Sequence, residues 1–171
     1  MAFKLKSDKK ETFFSIKETF EKVLKLTNSQ FKNHEITIIK EIDDFQIYGF
    51  ENEFIQVLIN ILNNSKDALI NKKENKLIFI KTFEDDENNF VIKIKDNGGG
   101  IENKILDKVC EPYFTTKHQS TGTGIGLYMA EEIIEKHMNG ILEINNCKFS
   151  YENEEYVGAE VTILLNKESW V

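Results

Sequence analysis

No arginine occurs in this chain of 171 residues; all 22 of its basic side chains are lysines. That absence removes bidentate guanidinium clamps and any arginine finger, so positive charge for an anionic ligand must come from lysine, a metal or backbone N–H groups. Basic charge is also outweighed, with 29 acidic residues giving a formal net charge of −7. A protein that tracks a nucleic-acid backbone needs a basic face to release counterions, so this balance argues against that class. Cysteine is scarce: Cys110 and Cys147 stand far apart with no Cys-x-x-Cys or Cys/His spacing, which argues against a disulfide framework or a zinc site. A reducing, cytoplasmic compartment is the expectation. No apolar run approaches the roughly 20 residues of a membrane span, and the first ten residues lack the apolar core of a signal peptide.

What is present fits one domain. Forty per cent of the residues are apolar, enough for one ordinary core, and the length leaves no room for a second. Residues 1–11 read as a charged linker remnant and 12–171 as the domain. Ser15 and Glu18 form a capping box, and Ile16, Phe20, Val23, Leu24, Thr27 and Phe31 follow at helical spacing, which predicts a helix over 16–32. Phe54, Val57, Leu58, Ile61, Leu62, Ser65 and Leu69 trace one face of a second helix over about 51–70. Short strands are expected at 35–40 and 45–48, an alternating hairpin at 77–83 and 90–95, a short helix at 102–109, an amphipathic helix at 124–138 closed by Asn139-Gly140, and strands at 141–146 and 159–165. This order implies an α+β, two-layer sandwich: a mixed, mostly antiparallel sheet covered on one face by about three helices.

Glycine is sparse but concentrated. Six of nine fall in Gly98-Gly99-Gly100 and Gly122/Gly124/Gly126, where a strand or loop hands over to a helix. Glycine admits positive φ and close backbone approach, and consecutive N–H groups there can hold a phosphate, so the pair of clusters suggests a nucleotide. The spacing is not that of a doubly wound dinucleotide fold, whose Gly-x-Gly-x-x-Gly opens the first βα turn. On the helix over 51–70, Asn60, Asn64 and Asp67 share one stripe, and an amide oxygen such as that of Asn64 can fill one place in a Mg2+ shell. In a chain with 17 asparagines, polar surface is an equal reading of that stripe. Asp96 ends a strand before Asn97-Gly98-Gly99-Gly100-Ile101. A carboxylate there can accept from an exocyclic amine such as adenine N6, with Gly98 and Gly100 letting the base lie on bare backbone; an ordinary Asp-Asn-Gly turn competes. Between the clusters, Glu111-Pro112-Tyr113-Phe114-Thr115-Thr116-Lys117 holds the single proline and an aromatic pair, the makings of a lid over a ligand.

Taken together, these segments resemble the four boxes of sensor histidine kinases. Gln56 to Ala68 resembles the N box, Asp96 to Ile101 the G1 box, Glu111 to Lys117 the F box, and Gly122-Thr123-Gly124-Ile125-Gly126-Leu127 the G2 box, in the family's order. The likeness runs from about residue 12 to 165 and implies the Bergerat ATP fold of the GHKL superfamily. By that resemblance ATP and Mg2+ are the ligands. Asn64 would hold the metal with Asn60 beside it, and Asp67 and Ala68 would line the site. Asp96 would anchor adenine near Gly98, Gly100 and Ile101. Thr116 and Lys117 of the lid would lie about the phosphates with Gly122, Thr123, Gly124, Ile125, Gly126 and Leu127.

The chain departs from that pattern twice. Where the hydrolysing branch carries a Glu as general base, Asn60 offers an amide that takes no proton at neutral pH, so slow hydrolysis is expected. At Gly158-Ala159, the place of a third glycine box, Ala159 stands where a Thr is usual, and Thr162 is a candidate substitute. None of His34, His118 and His137 sits in the acceptor motif, so the resemblance implies that the phosphorylated histidine lies on a dimerisation domain outside this chain, in a longer parent open to membrane anchoring. The implied partners are ATP, that dimerisation domain and a response regulator, with no nucleic acid. A stand-alone ATPase of the same fold, or a nucleotide-binding interaction module without kinase activity, are the alternatives.

Overall fold

Ser15 ends a short strand, β1 (Thr12–Ser15), and caps α1 (Ile16–Asn33), its hydroxyl oxygen accepting from the Glu18 N–H at 3.1 Å. Asp44 reinforces the cap by accepting from the Ser15 hydroxyl at 2.7 Å and the Lys17 N–H at 3.1 Å. Burial pushes the Asp44 carboxyl upward, but these donors win and hold it below the usual carboxylate value. The structure is a computed structural model that describes residues 10–106, 108, 110–111 and 126–170. After α1 come β2 (Ile36–Ile42), β3 (Gln46–Gly49), α2 (Glu51–Leu69), β4 (Lys76–Glu84), β5 (Asn89–Asp96), α3 (Asn103–Leu106), α4 (Gly126–Glu132), β6 (Ile141–Tyr151) and β7 (Glu154–Asn166).

Five strands form one sheet in the order β2-β4-β5-β7-β6. The β2–β4 pair is parallel and the other neighbours are antiparallel, which is the mixed, mostly antiparallel sheet expected. One face is covered by α1, α2 and α4. Phe20 and Val23 of α1, Phe54, Leu58, Ile61 and Leu62 of α2, and Ile80, Ile92, Ile94 and Ile163 of the sheet are at most 1% exposed and form a single core. Alternation along β5 directs Phe90, Ile92, Ile94 and Asp96 toward the helices and leaves Lys93 and Lys95 on the far face.

Four features depart from the sequence expectation. β1 falls where no strand was expected and pairs with β3 in a separate two-stranded sheet, so β2 and β3 are not neighbours. The helix after the second glycine cluster is α-helical only to Glu132 and continues as a π turn over Ile133–His137. In its closing turn the left-handed residue is Asn139, at φ 53°, while a Cβ on Gly140 would stand 2.7 Å from the Leu164 carbonyl oxygen. The β6–β7 hairpin is about twice the expected length. It turns through Glu152 and Asn153, both at positive φ, and Phe149 and Tyr156 meet on its far face, with Phe149 and Tyr151 packed edge-on against Phe79 of β4. The Lys95 ammonium lies 3.9 Å from the Phe149 ring centre.

Candidate functional site

Asp96 is the last residue of β5 and is only 4% exposed. Both hydrogen bonds that described residues give its carboxylate end on Oδ1, from the Gly98 N–H at 2.9 Å and the Ala159 N–H at 3.4 Å. Burial raises the Asp96 carboxyl above its ordinary value, and the two N–H donors offset only part of that. A buried acid with its two structural donors on one oxygen keeps the other as an acceptor for a ligand. Gly158 makes this possible: a Cβ there would stand 1.7 Å from the Asp96 carbonyl oxygen, so only glycine lets β7 lie this close to the end of β5.

The loop after Asp96 is held from three sides. Asn97, 3% exposed, accepts from the Leu77 N–H at 2.9 Å and donates to the Asn75 carbonyl at 2.6 Å, tying the end of β5 to the start of β4. Asn146 of β6 grips Ile101 at both backbone groups, accepting from its N–H at 2.7 Å and donating to its carbonyl. A Cβ on Gly98 would stand 2.8 Å from the Ala68 carbonyl oxygen of α2, and one on Gly100 would stand 2.9 Å from Asn146 Oδ1. The Cβ positions of Gly98 and Gly100 are therefore occupied by protein, so packing of the loop by itself demands these glycines. At Gly99, φ +97°, an added Cβ would meet nothing within 4 Å.

α2 spans the site. Its Ala68 end abuts the Gly98 loop, and its Asn60 meets the start of α4, donating from Nδ2 to the Gly126 carbonyl at 3.2 Å. The two anchors are eight positions apart, about 12 Å along a helix, a span comparable to that from base to terminal phosphate of a nucleoside triphosphate. Asn60, Asn64 and Asp67 are half-buried between them, and none of the described residues hydrogen-bonds the Asn64 amide. Asn63 Oδ1 is buried without a partner, so no ligand can reach it as it stands.

Other expected site residues fall differently. Leu127 is 8% exposed and its side chain belongs to the core. Thr116, Lys117, Gly122, Thr123, Gly124, Ile125 and His118 lie outside the described residues. Thr162 cannot replace a threonine near the base. It pairs with Lys93 and Glu143, and by alternation it faces away from the helices, whereas Ala159 and Asp96 face toward them. His34 closes α1 through its backbone, and the His137 ring meets Glu53 at 3.0 Å. Reading the sequence missed Asn97 and Asn146 as supports of the loop, and Gln56, which donates to Asn60 Oδ1 at 2.8 Å.

Among the described residues no group of three or more His, Cys, Asp or Glu side chains could cage a metal ion. The donor set instead suits a hard cation carried by phosphates and waters, with one or two protein oxygens. No helix of the described residues is long and apolar enough to cross a membrane.

The model of the family described as histidine kinase-, DNA gyrase B-, and HSP90-like ATPase matches residues 49–169. Sporulation kinase A of Bacillus subtilis is 33% identical over 106 residues, covering 62% of this chain and 16% of its own length. The signal transduction histidine-protein kinase AtoS of Escherichia coli is 32% identical over 129 residues, 74% of this chain and 20% of its own. The chain thus spans a fifth or less of these curated relatives. Among solved structures, a nucleotide-free form of the catalytic domain of histidine kinase ThkA superposes with a TM-score of 0.75 at 28% identity, covering 92% of this chain and 97% of that one.

Proposed function

Because the chain belongs to the family of histidine kinase-, DNA gyrase B-, and HSP90-like ATPases, we propose that it is the ATP-binding catalytic domain of a two-component sensor histidine kinase. In this role it holds Mg-ATP so that the γ-phosphate can pass to a histidine on a separate dimerisation domain, and from there to a response regulator. The observation that carries the reading is the single helix α2, which meets the loop after buried Asp96 at one end and the start of α4 at the other. A base anchored at one end puts its phosphates at the other.

Each described residue has a separate task. Asp96 accepts from the adenine amine with the oxygen that its structural donors leave, and the buried setting excludes the water that would compete. Asn64 offers its amide oxygen to Mg2+, whose chemical contribution is to neutralise phosphate charge. Asn60 already spends both ends of its amide on Gln56 and Gly126, so it positions more than it ligates. An amide at this place also provides no base to activate water, which suits a domain that delivers its phosphoryl group to another protein. The lysine and glycines of the two remaining boxes, Thr116, Lys117 and Gly122 to Ile125, complete the phosphate end in this reading.

Calorimetric titration with ATP, with and without Mg2+, followed by transfer of labelled phosphate to a dimerisation domain supplied in trans, tests the proposal. Mg-dependent binding and labelling of a histidine are expected. Steady phosphate release at ordinary enzyme rates, on the order of 10 per second, would favour a stand-alone ATPase instead. Binding without transfer to any dimerisation domain would favour an interaction module.

A further inference from the structure

Gln56 and Asn60 are one turn apart on α2, and the second of them reaches a backbone carbonyl. That carbonyl, of Gly126, can only accept, so the end of the Asn60 amide that meets it at 3.2 Å must be the NH2 group. Asn60 Oδ1 is then turned back along the helix toward Gln56, whose amide in turn must present its own NH2 group, at 2.8 Å. One backbone oxygen thus fixes the orientation of two side-chain amides that are otherwise free to flip. The contact is close as well as directional, since a Cβ on Gly126 would lie 3.7 Å from Asn60 Cβ.

We propose that Gln56 is a positioning residue for the phosphate end of the nucleotide site, acting only through Asn60. By donating to Asn60 Oδ1 it holds the Asn60 NH2 group on the Gly126 carbonyl and so holds the start of α4 against α2. The proposal rests on the ATP reading given above. Gln56 is exposed and outside the buried stripe of α2, so its side chain carries little of the packing. Removing its donor lets Asn60 Oδ1 turn to water and loosens the tie at Gly126, while the Asp96 end, about 12 Å away along the helix, is untouched.

The test is a double-mutant cycle on the intact chain with Gln56→Met, which keeps length and charge and removes the donor, and Asn60→Ala. Dissociation constants for Mg-ATP and for adenosine, which lacks phosphates, are measured for all four proteins by calorimetry, with melting temperatures alongside. Gln56→Met is expected to weaken Mg-ATP about three- to tenfold, the worth of one solvent-edge hydrogen bond, with adenosine affinity and melting temperature unchanged. In the Asn60→Ala background the same change is expected to have no further effect, because its only route of action is gone. Equal losses for ATP and adenosine, an unaltered ATP affinity in Gln56→Met, or an undiminished effect in the Asn60→Ala background would each overturn the inference. A wild-type chain that bound no Mg-ATP would overturn it together with the ATP reading, which separates that failure from the others.

Discussion

Asp96→Asn should change which purine the site prefers while leaving the fold intact. In the wild type the Gly98 and Ala159 N–H groups both end on Oδ1, at 2.9 and 3.4 Å. An asparagine must turn its carbonyl oxygen to those two donors, which swings its NH2 group to the position where the carboxylate offered an acceptor. Adenine presents an amine there, so donor faces donor. Losing a hydrogen bond to a charged group costs about 1.5–3 kcal/mol, which is roughly a ten- to 150-fold loss of ATP affinity before any repulsion is added. Inosine triphosphate carries an oxygen acceptor at the same carbon, so the variant should bind it more tightly than ATP, reversing the wild-type order. Stability should move the other way. Burial raises the folded-state carboxyl of Asp96 above its ordinary value, so its stabilising contribution is fully present below the unfolded value and is lost as pH rises through the folded one. Above the folded value the buried charge is a cost that asparagine removes, and there the melting temperature of the variant should equal or exceed that of the wild type. For the same reason, wild-type ATP affinity should fall as pH is lowered through the raised Asp96 value, and the variant should lack this dependence. Calorimetric titration with the two nucleotides and a thermal melt suffice. Unchanged ATP affinity, or equal loss of both nucleotides with no reversal, would refute the assignment of Asp96 as the base anchor.

Gly158→Ala puts a Cβ 1.7 Å from the Asp96 carbonyl oxygen, and overpacking of this severity should cost about 3 kcal/mol. For a chain of this size that lowers the melting temperature by about 6–12 °C, and a drop under 2 °C would show that β7 can yield. Asn146→Ala leaves both backbone groups of Ile101 without their side-chain partner and should destabilise the protein by about 1–3 kcal/mol in chemical denaturation, with faster amide exchange confined to residues 98–101. Burial, followed by the charges of Glu131 and Glu135, pushes the Cys110 thiol up from 9.0 to about 12. Its thiolate is therefore about a thousandfold scarcer at pH 8 than that of an ordinary thiol, and iodoacetamide should alkylate it correspondingly slowly in the native protein and at the ordinary rate in denaturant.

Local periodicity made most of the fold legible. Every residue of the apolar stripe assigned to α2 is buried, because a single helical face against a sheet obeys one period. Asp96 was legible for a similar reason, as the polar end of an alternating strand. The far half of the β6–β7 hairpin was not, because its aromatic residues are scattered among charged ones and two of them, Phe149 and Tyr151, draw their support from Phe79, on a strand some 70 residues earlier. Asn146 was hidden among 17 asparagines, and its grip on Ile101 joins residues 45 apart, a contact no local pattern encodes. The packing that requires Gly98 and Gly100 was not legible, because a motif shows that a Cβ is forbidden without showing which atoms forbid it. Thr162 is different: strand alternation from Ala159 already places it on the opposite face, so that expectation failed on information the sequence contained.

The eight-residue interval of α2 between Asn60 and Ala68 constrains how this gene can change. A substitution between the two anchors leaves their separation along the helix unchanged, whereas a change in the number of residues does not. Inserting or deleting one residue rotates one anchor against the other by about 100° and shifts it by about 1.5 Å, so either the Gly126 contact or the Gly98 contact is lost in a single step. A point substitution there preserves the register of the two contacts whatever else it costs, whereas a codon gained or lost breaks that register in one step.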